Sequence, residues 1–126
     1  MLYHSTRNKE FYVDSAEAVL EGLAPDGGLY MPRELPAFDW KKCLAGTSQQ
    51  MSSMILSALL PDISDMDDLV AKAYTGKFET EALTPTVPVG ENFVLELFRG
   101  PTSAFKDVAL SMLPQLLTAA KRLKNE

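Results

Sequence analysis

The residues best suited to chemistry lie in Leu95-Glu-Leu-Phe-Arg-Gly-Pro-Thr-Ser-Ala-Phe-Lys-Asp-Val-Ala-Leu110, which brings one lysine, Lys106, to the start of a predicted helix. The apolar run before it reads as a buried strand and Gly100-Pro101 as a turn. Thr102 or Ser103 then serves as N-cap, and the helix begins at about residue 104. Lys106 falls in the first turn, where backbone N–H groups converge and a cation is disfavoured. The helix dipole, with apolar cover from Phe98 and Phe105, is expected to pull the ammonium pKa down. A neutral lysine amine attacks carbonyls, which is the requirement for a Schiff base with a carbonyl substrate or with pyridoxal phosphate. From the residues alone a second reading stays open, that of a solvated surface lysine beside an aspartate.

Several elements must position this segment. Residues 2–4 and 11–13 read as short strands with a turn over 7–10. Asp14-Ser-Ala-Glu17 has capping-box spacing, opening a helix that runs to about Leu20 and stops at Gly22. Residues 24–32, with two prolines and Gly27-Gly28, form a special loop. It is either a plain connector or a place where backbone approaches a ligand or another domain. Asp26 either meets substrate or fixes that turn; Arg7 either binds a phosphate or carboxylate or ties two chain segments together. Met51, Met54, Ile55, Ala58 and Leu59 recur at helical spacing until Pro61, and the methionines read as core filling. A further helix has Asp65 as N-cap, with Asp67 and Asp68 suiting the dipole rather than a metal. After a linker at 83–88, residues 87–89 and 93–98 can pair as a hairpin around Gly90-Glu-Asn92. The final helix, to about Leu123, places Phe105, Ala109, Met112, Leu113, Leu116, Ala120 and Leu123 along one stripe, with Leu110 and Leu117 on another flank. This is a wide apolar girth, and Pro114 within it predicts a kink.

The chain has 126 residues, 46% of them hydrophobic, enough for one domain with a modest core. Twelve basic and seventeen acidic side chains give a net charge of −5, which argues against nucleic acid or an anionic membrane as main partner. The cluster Lys121, Arg122 and Lys124 suits a helix C-terminus and needs no ligand. One cysteine excludes an internal disulfide, and one histidine leaves no plausible zinc set, so no metal is expected. Cys43 reads as a small packed residue near Trp40 rather than a catalytic thiol. The opening residues lack a charged leader followed by an apolar stretch, and no apolar run approaches the ~18 residues needed to span a bilayer. A cytoplasmic location is therefore expected.

Residues 95–110 are similar to the lysine segment of the threonine synthase family, whose pattern is close to L-E-L-F-H-G-P-T-x-A-F-K-D-x-A-L. Two more motifs agree. Tyr3-His-Ser-Thr-Arg7 resembles the family's opening Y-x-S-T-R, and Gly22-Leu-Ala-Pro-Asp-Gly-Gly-Leu-Tyr-Met-Pro32 resembles its G-L-A-P-D-G-G-L-[FY]-[VM]-P. The three stand in family order and cover nearly the whole chain.

The resemblance implies an α/β fold: an α+β N-terminal domain over residues 1–85, then over 86–126 the truncated beginning of a tryptophan synthase β-like, fold type II pyridoxal-phosphate domain. It implies a lyase that converts O-phospho-L-homoserine and water to L-threonine and phosphate. Lys106 would be catalytic and hold pyridoxal phosphate, Phe105 would shape the cofactor pocket, and Thr102, Ser103 and Arg99 would be substrate-binding. Asp107 would act in local charge balance or in the plain role of a first-turn acid. Arg99 departs from the family's histidine, so proton handling by that imidazole does not carry over. The family's phosphate-gripping loop, close to S-G-D-T-G, has no match here, and the sequence ends 20 residues past Lys106. The expectation is an N-terminal fragment, inactive alone, holding the cofactor weakly and self-associating through its last helix unless the rest of the catalytic domain covers it. Two alternatives compete: a stand-alone interaction domain derived from this fold, and another pyridoxal-phosphate lyase or dehydratase, which the two N-terminal motifs disfavour.

Overall fold

The computed structural model describes residues 1–125. A three-stranded antiparallel sheet opens the chain, with β1 (Leu2–Ser5) between β2 (Tyr12–Asp14) and β3 (Tyr30–Pro32). Tyr3 sits opposite Val13 on one side and Pro32 on the other. The two-residue period of a strand buries Tyr3 and Ser5 while leaving Leu2 exposed. The Tyr3 hydroxyl donates to the Leu59 carbonyl at 2.5 Å, tying the sheet to the helical layer. β3 lies inside the stretch read as loop. A three-residue edge strand ending on proline shows no alternation long enough to reveal it.

Helix α1 (Ser15–Glu21) is capped as expected by Asp14, which accepts from the Glu17 N–H at 2.8 Å. The reciprocal arm of the expected box is missing, because the Glu17 carboxylate faces Lys124 instead. The full capping box lies at Thr47 and Gln50, opening α3 (Ser48–Leu59), and α2 (Trp40–Leu44) precedes it under the Asp39 cap. At five residues α2 is too short for an apolar period to show. Its Cys43 is buried, as expected of a packed residue. Asp65 stands just before α4 (Met66–Tyr74) but makes no side-chain cap. Its backbone is left-handed at φ 57°, and its carboxylate accepts from Ser64 Oγ at 3.0 Å.

The hairpin pairs β4 (Thr86–Val89) with β5 (Asn92–Leu95) through a turn at Gly90, whose φ is 61°. β5 ends at Leu95, short of the expected 98: Glu96 N–H still bonds to the Pro85 carbonyl at 2.9 Å, but Pro85 has no N–H to return the bond and the ladder stops. Helix α5 (Asp107–Lys124) follows and starts three residues later than expected. It runs on through Pro114, which is exposed and therefore keeps its ring clear of the core. Met112, Leu116 and Ala120 form its buried stripe, packed into one cluster with Ala16, Val70, Ala73 and Tyr74. The Tyr74 hydroxyl donates to the Val108 carbonyl at 3.1 Å, and Lys124 Nζ reaches Asp14 at 2.6 Å. α5 is thus held at both ends against α4 and α1. No helix among the described residues is long and apolar enough to cross a membrane, and none of their acidic, histidine or cysteine side chains form a metal-ligating group.

Candidate functional site

Lys106 is itself the N-cap of α5, with φ −75° and ψ −10°, and its carbonyl accepts the Leu110 N–H at 2.8 Å. Neither Thr102 nor Ser103 caps the helix, contrary to the sequence expectation. The bond runs the other way: the Asp107 carboxylate accepts from Thr102 N–H at 2.8 Å and from Thr102 Oγ1 at 2.5 Å. Between them the chain makes two tight turns. Ser103 N–H bonds to the Gly100 carbonyl at 3.1 Å, and Asp107 N–H to the Ala104 carbonyl at 3.0 Å. Ser103 takes a left-handed φ of 57°, which costs a non-glycine residue and persists only where surrounding bonds hold it. Gly100 lies so close to Asp107 that a methyl group there would overlap the carboxylate. Asp107 is only 3% exposed, and the Thr102 hydroxyl bond, against the cost of burial and helped by backbone N–H groups, holds its carboxyl below the usual range.

Around this closed loop, Thr102, Ser103, Phe105 and Lys106 are all exposed on consecutive turns. Phe105 is 67% exposed, and Lys106 Nζ stands 5.8 Å from its ring centroid, within cation–π range. Among the described residues the Lys106 amine meets no carboxylate. An accessible, unpaired primary amine on a fixed backbone is suited to attack on a carbonyl carbon. Arg99 is differently placed. Its guanidinium bonds Glu96 and Glu79, each at 2.7 Å, and stacks 5.1 Å from the Phe98 ring centroid. Both carboxylates, Glu79 first, push its pKa up and keep it charged.

The two N-terminal motifs meet in one hydrogen-bonded knot. Buried Ser5 donates its hydroxyl to Asp26 at 2.7 Å and accepts the Arg7 N–H at 3.1 Å. Asp26 also accepts Gly28 N–H at 2.8 Å, while Arg7 Nη1 donates to the Asp26 carbonyl at 2.9 Å. Thr6 and Leu29 exchange two further bonds, at 2.9 and 3.0 Å. A side chain at Gly28 would overlap Ser5 Oγ. These contacts tie Arg7 to the 26–28 turn and have Asp26 hold that turn. Residues that sequence reasoning did not single out are Ser5 as the pivot of this knot, and Glu79 and Glu96 as partners of Arg99. Their signal is pairing between distant segments, which one sequence does not display.

The family model described as threonine synthase N terminus matches residues 2–74, more than half of the chain. The threonine synthase of Corynebacterium glutamicum is 36% identical over 122 residues, covering 88% of this chain and 25% of that protein. Among solved structures, the PLP-bound threonine synthase from Brucella melitensis superposes with a TM-score of 0.86 at 34% identity, over 100% of this chain and 28% of its own. The yeast threonine synthase gives a TM-score of 0.85 at 31% identity, over 98% of this chain and 27% of its own. The chain therefore spans between a quarter and three-tenths of the length of these relatives. Its mixed helix and strand architecture is that of the N-terminal portion of those structures, as the sequence motifs implied. By sequence and by fold, the chain belongs to the threonine synthase family.

Proposed function

We propose that this chain is the N-terminal part of a pyridoxal-phosphate-dependent carbon–oxygen lyase that acts on a phosphate ester, converting O-phospho-L-homoserine and water to L-threonine and phosphate in the cytoplasm. The carrying observation is Lys106: an exposed amine without a carboxylate partner among the described residues, on a loop held by buried Asp107. That donor chemistry fits the covalent half of a pyridoxal-phosphate site. Lys106 Nζ would attach the cofactor, and Phe105 would offer an apolar face beside it. When bound, pyridoxal phosphate supplies an electron sink for negative charge developed on substrate carbon. Lys106 Nζ would accept and return protons at those carbons. Ser103 and Thr102 present hydroxyls for substrate; the Thr102 hydroxyl already donates to Asp107, so it remains only an acceptor. Glu96 engages Nε and Nη2 of Arg99 and Glu79 engages Nη1, so two of its five N–H groups are left to meet a substrate phosphate.

The phosphate-gripping half of the site is proposed to come from sequence other than these residues, none of which match the glycine-rich pattern. We also propose residues 86–126 as the start of the catalytic domain, although the inner stripe of α5 shares its core with residues 1–85. The test is reductive trapping. Full-length protein treated with pyridoxal phosphate and borohydride should carry its stable label on Lys106, by peptide mapping, and should release phosphate from O-phospho-L-homoserine. The 126-residue chain alone should release none. A label on any other lysine overturns the assignment.

A further inference from the structure

An acidic residue in the first turn of a helix usually sits in solvent and gains a few tenths of a kcal/mol to about 1 kcal/mol from the dipole. Asp107 does something else. Its carboxylate is buried, reaches back five residues to both donors of Thr102, and presses against a glycine that has no room for a side chain. The loop so closed contains Ser103 in a left-handed conformation that it would not keep unaided. Lys106 is the residue immediately before Asp107. Its four-carbon stem is flexible, so the placement of its amine depends on where the backbone starts that stem.

We propose that Asp107 is a positioning residue for Lys106: by clamping Thr102 and packing on Gly100, its buried carboxylate fixes the loop from which the lysine amine reaches its carbonyl partner. The role rests on the assignment of Lys106 made above, and it gives Asp107 a part in the reaction without contact with cofactor or substrate. Misplacing a reacting group by about 1 Å can cost a rate on the order of a hundredfold, so a loop lock of this kind has consequences well beyond stability.

The test uses full-length protein, pyridoxal phosphate and borohydride, reading the rate of labelling at Lys106 below the melting temperature of each variant. Asp107→Ala removes both acceptors, so labelling at Lys106 should slow by about tenfold and the Thr102 amide should exchange faster with solvent. Asp107→Asn keeps the shape and can retain both contacts, since the Thr102 hydroxyl accepts as readily as it donates; its labelling should stay within about threefold of wild type. Gly100→Ala, which crowds the carboxylate from the other side, should slow labelling as Asp107→Ala does and gives an independent reading if that variant fails to fold. Unchanged labelling in folded Asp107→Ala or Gly100→Ala overturns the positioning role. So does Asp107→Asn losing as much as Asp107→Ala, because the negative charge and not the clamp would then matter. A wild-type protein labelled at a different lysine overturns the assignment of Lys106 itself, which these other outcomes leave standing.

Discussion

Asp26 and Asp107 do the same job in two loops, each gathering backbone and hydroxyl donors around one carboxylate. Asp26 takes Ser5 Oγ and Gly28 N–H, and Asp107 takes Thr102 Oγ1 and N–H. Such bonds favour the charged form: the Ser5 hydroxyl holds the Asp26 carboxyl below its ordinary value, as the Thr102 hydroxyl does for Asp107. Asp14, bonded first to Lys124, is lowered as well. Burial would raise Asp62, but the Ser15 donors together with the N-terminal ammonium lower it. A carboxyl whose folded pKa is depressed contributes stability above its unfolded value, and that contribution is lost as pH falls through the folded value. With an unfolded value of about 3.9, the fold should keep its stability above about pH 5 and lose it progressively below about pH 4. Urea midpoints taken across that range should show the fall, and Asp107→Asn should flatten part of it; a midpoint independent of pH would contradict the carboxylate account. Lys106 stood out in the sequence as a candidate because its residue type and neighbours announce it, and the fold leaves its side chain exposed. What Asp26, Arg7 and Asp107 each meet was not legible, since a carboxylate or guanidinium in a loop has many possible partners and only folding selects one.

At the scale of elements, periodicity located what was long enough to have a period. α3 and α4 carry their apolar residues at helical spacing, and β1 and β2 lie within one residue of their expected positions. α2 and β3 escaped because five and three residues complete too little of a cycle. The start of α5 was misplaced for a different reason: residues 102 and 103 have cap-forming side chains, but Asp107 outcompetes the helix for Thr102. The stripe expected on α5 was drawn too wide: Met112, Leu116 and Ala120 of it are buried, but Phe105, Leu113 and Leu123 are exposed. In the fold Leu116 is 8% exposed and packed with α1 and α4 residues, while Leu113 is 43% exposed. Leu116→Ala should therefore cost about 2–5 kcal/mol by chemical denaturation, the price of a core cavity. Leu113→Ala should cost about 1 kcal/mol or less, because much of its side chain already meets water. Equal losses would mean that α5 is not seated on α1 and α4 through this stripe.

For the whole molecule, two opposed surface properties decide how the chain behaves at high concentration. Its net charge of −5 favours separate molecules. Against that, Val89, Phe93, Val94 and Leu95 of the hairpin, Phe98 and Phe105 of the lysine loop, and Leu110 and Leu113 of α5 are all exposed. These eight lie within residues 89–113, of which the core cluster takes only Met112 and, in part, Val108. A two-stranded hairpin with little burial is marginal in water, so covering it stabilises the strands as well as removing apolar surface. Each half-exposed side chain has about 1 kcal/mol left to gain from burial, and joining two copies costs at least about 4 kcal/mol in lost freedom. Several must therefore be covered together, and the association should be weak. Sedimentation velocity of the 126-residue chain should show a mean mass that rises with concentration. Raising salt should strengthen the association by screening the like charges that oppose it. Phe93→Lys with Leu113→Lys should return the chain to monomer without loss of its fold, since neither side chain is in the core. A single monomeric species at every concentration, with the wild-type sequence, would show that this apolar set does not drive association.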